Sequence, residues 1–194
     1  MTEWVADKLT NRLIEYQLID KTKREIYHYT IQVQVEKIIG MSAILILGLI
    51  FQVFFQTVLF LIFFFCIRKR SGGFHMNSFT GCFLGTIGVY VLYVVILYPV
   101  LLCFPVVNYV ALIFGLSVIL LIGAVNHPNM EWNEMEYRMS KRYARIIAVL
   151  ETICIGILIC LSADISYIFF MSYGVILSAA LLALGKVIKQ EVET

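Results

Sequence analysis

The chain has 194 residues, 61% of them hydrophobic and only 14% charged, with a formal net charge of +2. A soluble globular domain carries roughly 45–50% apolar and about 25% charged residues, so the composition excludes a disordered or nucleic-acid-binding chain. Mean hydropathy is +0.89 and the apolar residues stand in long blocks. Most of the chain therefore has to sit in lipid, as an all-α polytopic membrane protein.

The first segment, 1–20, mixes charged and apolar positions. It has neither a continuous apolar core nor a small-residue cleavage site, so no signal peptide is expected. Trp4, Val5, Leu9, Leu13 and Ile14 recur at helical spacing among Glu3, Asp7, Lys8, Arg12 and Glu15. That spacing predicts an amphipathic helix at the inner leaflet, either packed on the bundle or guiding a substrate. His28 follows in a basic, aromatic stretch that suits the membrane interface.

Apolar runs occupy about 31–51, 53–67, 79–98, 106–125, 146–163 and 165–185, most of them close to the roughly 17–25 residues that span a bilayer. Basic clusters mark cytoplasmic loops. Here they are Lys21/Lys23/Arg24, Arg68/Lys69/Arg70, Arg138/Lys141/Arg142/Arg145 and Lys186/Lys189. Two spans separate the second cluster from the third, turning near Pro99 to Pro105, and two separate the third from the fourth, turning at Ala163-Asp164. An even number must also separate the first from the second. Residues 31–67 are therefore expected to form a tight hairpin turning near Gln52. The result is about six transmembrane helices, with both termini and the 126–145 loop cytoplasmic.

Glu36 and Lys37 lie near the start of the first span, where a mid-membrane charge costs about 2.5–3.5 kcal/mol. They form an interfacial ion pair or mark a groove or dimer contact. The Phe-rich run from Phe51 to Phe65 reads as lipid-facing bulk. The acidic residues Glu131, Glu134 and Glu136 before Arg138 read as a solvated helix face.

Chemistry concentrates in one stretch, Arg68-Lys69-Arg70-Ser71-Gly72-Gly73-Phe74-His75-Met76-Asn77-Ser78-Phe79-Thr80-Gly81-Cys82, at the cytoplasmic mouth of the third span. A thiol of ordinary pKa is only about 3% thiolate at neutral pH, so a nucleophilic cysteine needs a base or a positive environment. His75 offers the base, and Arg68 and Arg70 the charge. On one continuous helix seven residues of about 1.5 Å rise would hold His75 and Cys82 roughly 10 Å apart, too far for proton transfer. The helix must break between them. Gly72-Gly73 permits the turn, and Asn77 or Ser78 can cap a helix that starts just before Cys82, near the positive end of its dipole.

Gly72-Gly73-x-His75, with Arg68 before it and Cys82 after it, resembles the catalytic segment of the accessory gene regulator B (AgrB) family, membrane cysteine endopeptidases of Gram-positive quorum sensing. The likeness extends over nearly the whole chain, in length, amphipathic N-terminus, span pattern and the Val125-x-His127-Pro128-Asn129 loop. In that loop the family tends to have a proline before the valine and a lysine after the asparagine, where this chain has Ala124 and Met130. The resemblance implies that His75 and Cys82 are the dyad, that Arg68 is a required arginine, and that Gly72 and Gly73 are the family's glycine pair. It further implies an AgrD-like precursor as partner, a homodimer and a bacterial plasma-membrane location. The precursor has an amphipathic leader, a central cysteine-containing signal and an acidic tail. Arg68, Lys69 and Arg70 at the site mouth fit that tail. The Ser78 hydroxyl and the N–H groups near Gly81-Cys82 are candidate oxyanion donors.

The implied reaction is attack of the Cys82 thiolate on the scissile carbonyl, departure of the tail, and transfer of the thioester to the precursor's own cysteine, closing a thiolactone. The rest of the chain offers no competing chemistry. Cys66, Cys103, Cys154 and Cys160 follow no paired spacing and read as small apolar residues. His127 fits packing, capping or substrate contact. No His/Cys group has metal-ligand spacing, so neither metal nor cofactor is expected, and G-x-S-x-G is missing. The alternative function class is a small peptide transporter or scaffold, in which His75 only lines a polar cavity. A transporter is expected to carry paired polar groups or broken helices at the bilayer midplane. Here the polar residues gather at the cytoplasmic edge.

Overall fold

The computed structural model describes residues 2–74, 76, 78–126 and 132–189. Eight α-helices follow in chain order: α1 (Thr2–Glu15), α2 (Arg24–Ile50), α3 (Phe54–Ser71), α4 (Phe79–Leu92), α5 (Tyr98–Cys103), α6 (Pro105–Ile122), α7 (Glu134–Cys160) and α8 (Ile165–Val187). The described residues form no strand, only an isolated bridge between Gly72 and Val125. Among the described residues, five helical stretches are long and apolar enough to cross a membrane: α2 with the short turn before it, α4 through α5, α6, α7 and α8. The sixth expected span is α3, which has 18 residues like α6 but carries Arg68, Lys69 and Arg70 in its last turn.

The expected hairpin is present. α2 ends at Ile50, Gln52 takes a left-handed conformation (φ 59°), and α3 starts at Phe54. Of the span boundaries that differ from the sequence reading, two follow from a local break in the helix. The third span runs past Pro99 to Cys103, because a wide turn at Tyr93–Leu97 shifts the hydrogen bonding just before the proline. Tyr98 N–H donates to Tyr93 instead of one residue later, which relieves the clash that a helical proline otherwise makes with the preceding turn. The fourth span stops at Ile122 rather than 125, where Gly123 (φ 80°) breaks it and Val125 leaves to form the bridge.

Much of the expected 126–145 loop is helix. Asn133 accepts from the Glu136 N–H while the Glu136 carboxylate accepts from the Asn133 N–H, a reciprocal cap that starts α7 at Glu134. The helix thus continues into the fifth span.

α8 is the central helix: 67% of its most apolar window is buried, against 11–22% in the other crossing helices. It packs on α3, α6 and α7. The Phe-rich run is not only lipid-facing bulk, since Phe60, Phe63 and Phe64 of α3 are buried while Phe55 stays exposed. Phe60 stacks on Tyr173, and Tyr173 stacks on Tyr93 at 3.7 Å between ring centres. Lipid is as apolar as a leucine core, so helix association in a membrane rests on close packing and interhelical hydrogen bonds. Gly174 supplies the close approach, since a Cβ there would stand 2.9 Å from Phe63 Cβ and 3.0 Å from Phe60 O. Ser178 donates to Phe64 O at 3.3 Å, Gln56 to Ser166 at 3.2 Å, and Tyr173 to Val89 O at 3.2 Å. Bonds of this kind average about 0.6 kcal/mol each.

α1 lies against α2 through its small residues Ala6 and Thr10, while Trp4 and Leu9 of the expected apolar stripe remain exposed. Arg24 pairs with Asp7 and donates to Asn11 at 3.3 Å. Glu36 accepts from Gln32 at 3.0 Å and from Thr2 at 3.5 Å. It ties α1 to α2 in this way, and no Glu36–Lys37 ion pair occurs among the described residues.

Candidate functional site

The site begins where α3 stops. Gly72 (φ 62°, ψ −138°) and Gly73 (φ 110°) turn the chain through backbone conformations that side chains rarely adopt. The last carbonyls of a helix lack intrahelical partners. Arg68 folds back under the turn, and its two terminal nitrogens donate to Gly72 O and Phe74 O. Burial pushes its guanidinium down to about 10, which leaves it a cation at neutral pH, and the nearby Cys82 acts in the opposite direction. Two of the five N–H donors of Arg68 are thus spent on the turn.

Space at the turn is tight on both sides. A Cβ on Gly73 would meet Arg68 Nη1 at 2.4 Å and Leu181 O at 2.9 Å, and one on Gly185 of α8 would meet Phe74 N at 2.7 Å. Phe74 N–H donates to Leu181 O at 2.9 Å, fastening the segment to α8. On the other side Val125 N–H donates to Ser71 O at 2.8 Å beside the Gly72–Val125 bridge.

Across the turn, α4 starts with Ser78 as its cap, the side chain accepting from Gly81 N–H at 3.2 Å. Cys82 follows in the first turn, its N–H donating to Ser78 O at 3.0 Å and its carbonyl accepting from Thr86 at 2.7 Å. Its thiol is half-buried and free. The structure thus brings Arg68, Gly72, Gly73, Ser78 and Cys82 to one corner of the bundle. Arg70 turns away from it, its guanidinium 5.3 Å over the Tyr143 ring of α7. His75 and Asn77 lie outside the described residues, as do His127, Pro128, Asn129, Met130 and Glu131.

Sequence reasoning missed three parts of this corner. Gly185 and Leu181 sit in an apolar run, where nothing local reveals their contact with Phe74. Asn126 is 3% exposed and spends both ends of its amide on one residue, donating to Trp132 O at 3.0 Å and accepting from Trp132 N–H at 3.1 Å. Glu151 was legible as the one acid inside the fifth apolar run. It lies near Cys66 on the α3–α7 face, with Oε2 buried and unpartnered among the described residues.

The five cysteines are all free. Cys82 is the one that stands beside a cation at the start of a helix, a setting that suits a nucleophile. No curated protein and no solved structure matches the chain. The family model described as Accessory gene regulator B matches residues 6–183, nearly the whole chain, and with the helical membrane architecture and the glycine turn in place the chain belongs to the accessory gene regulator B family.

Proposed function

We propose that this protein is a membrane cysteine endopeptidase that removes the C-terminal tail of an AgrD-like precursor and promotes its cyclisation to a thiolactone signal. The observation that carries the reading is Cys82, free and half-buried in the first turn of a capped helix, at the same corner as the Arg68 cation. A thiolate at that position is attracted both by the guanidinium and by the positive end of the α4 dipole.

In the first step the Cys82 thiolate attacks the scissile carbonyl. The C–N bond breaks, His75 delivers its proton to the leaving amine, and the tail departs, leaving an acyl thioester on Cys82. The precursor's own thiol, deprotonated by His75, then attacks that thioester, forming the ring thioester and regenerating the Cys82 thiolate. One thioester replaces another, so the exchange is nearly balanced, whereas water would make hydrolysis strongly downhill. Yield of the ring depends on holding the substrate thiol close and keeping water out. The buried 71–74 turn and the membrane-facing helices around it favour both. Arg68 donates to the carbonyls of the turn and Arg70 lies over Tyr143, so the exposed Lys69 is the most available of the three cations to attract the acidic tail.

The cytoplasmic placement of the termini and active site, and the homodimer implied by family resemblance, belong to the same reading. The basic clusters support the placement. The test is cleavage of a synthetic precursor by purified protein in lipid vesicles, followed by intact-mass spectrometry. Wild type is expected to accumulate a thioester and release the ring, and Cys82→Ala and His75→Ala to leave the precursor whole. Processing by Cys82→Ala would place the nucleophile elsewhere and reopen the transporter class.

A further inference from the structure

Three consecutive residues leave α6 and each is tied to a different element. Ala124 O accepts from the Tyr137 hydroxyl of α7 at 3.1 Å. Val125 N–H reaches Ser71 O at the end of α3, in the bridge with Gly72. Asn126 closes on both backbone groups of Trp132, immediately before the Asn133 cap of α7. Val125 is fully buried and Asn126 nearly so. A side-chain amide that pairs with the N–H and the C=O of one residue imitates a strand pair. Asn126 is itself 3% exposed, so water has little access to its amide to replace either bond.

We propose that Asn126 is a positioning residue for the catalytic turn. Its clamp on Trp132 fixes the register of Val125, and Val125 holds Ser71-Gly72 from the side opposite α8. The turn carrying Gly72-Gly73 is then gripped by Leu181 and Gly185 on one face and by Val125 on the other, with Arg68 filling its inside. Loosening the Asn126 clamp frees one of those two faces. The spacing between the turn and Cys82 then varies, while Lys69 and Arg70 are unchanged. The inference deepens the peptidase reading and rests on it for its kinetic part.

The test compares wild type, Asn126→Ala and Asn126→Asp in lipid vesicles, with Asn133→Ala as a control that weakens the α7 cap without touching the clamp. Asn126→Asp keeps the acceptor for Trp132 N–H and loses the donor, so it covers the case in which Asn126→Ala does not fold. Amide hydrogen exchange of residues 71–76 and 121–126 is measured beside precursor cleavage. The expected result is at least tenfold faster exchange of Phe74 and Val125 in Asn126→Ala, a smaller increase in Asn126→Asp, and none in Asn133→Ala. The kcat for cleavage is expected to fall about tenfold in Asn126→Ala, with KM within twofold of wild type. Unchanged exchange at 71–76, or a raised KM with unchanged kcat, overturns the proposal. A wild-type protein that cleaves nothing fails the peptidase reading instead, and the exchange arm still decides whether Asn126 holds the turn.

Discussion

A methyl group on Gly73 has nowhere to go, since Arg68 Nη1 stands 2.4 Å and the Leu181 carbonyl oxygen 2.9 Å from where it would sit. The arginine is itself fixed by two carbonyls, and the α8 backbone cannot yield locally. The positive φ adds a conformational cost, so Gly73→Ala is expected to lose about 1–3 kcal/mol of stability. Thermal unfolding in detergent checks this, and a wild-type melting temperature would mean that the turn is slack. The glycine pair and the Ser78 cap were legible in the sequence because both are local: a turn between two helices needs such residues at that spacing. The commitment of Arg68 to Gly72 O and Phe74 O was not legible. It depends on a turn whose path is set by α8 and Val125, residues more than fifty positions away. Asn126 and Gly185 were invisible for the same reason, each having its meaning only across the fold.

At the scale of the helix, Gly174 and Gly156 make opposite predictions from the same residue type. Gly174 lies where α8 meets α3, and a Cβ there would crowd Phe63 Cβ, Phe60 O and Phe64 N at 2.9–3.0 Å. Gly156 on α7 has nothing within 4 Å of the added atom. Gly174→Ala is expected to force the two helices apart and cost about 1–3 kcal/mol, as overpacking does. Gly156→Ala is expected to be neutral or stabilising by up to about 1 kcal/mol, from helix propensity alone. Unfolding of the two variants side by side decides the matter, and equal melting temperatures would remove Gly174 from the packing argument. The positions of the helices were readable from the apolar runs, and the turn at Gln52 from charge parity. The course of the third span past Pro99 was not. Proline reads as a stop, and only the wide turn at Tyr93–Leu97 lets the helix continue. The start of α7 was legible as a solvated helix face at Glu134 and Glu136, but its continuity with the fifth span was not, because the apolar run begins only at Ile146.

For the whole molecule, the question left by the architecture is which side each end occupies, and α3 decides it. The other five crossing helices place Cys103 at the end of α5 and Cys160 at the end of α7, both exposed, on the face opposite Cys82 whatever α3 does. If α3 also crosses, the N-terminal helix lies on the same side as Cys82. If it does not, α1 is on the other side. The three cations ending α3 and the basic residues before α2 favour the first arrangement, because both groups then face the cytoplasm. An impermeant maleimide is therefore expected to label Cys103 and Cys160 in intact cells and Cys82 only after permeabilisation. Glu3 is exposed on α1, so Glu3→Cys in a Cys103→Ser, Cys160→Ser background reports the remaining side. It is expected to stay unlabelled until the cells are opened. Labelling of Glu3→Cys in intact cells, with Cys82 still protected, would make α3 a half-span. It would also put the amphipathic helix on the far side from Cys82, leaving it unable to share a leaflet with the leader of the proposed precursor.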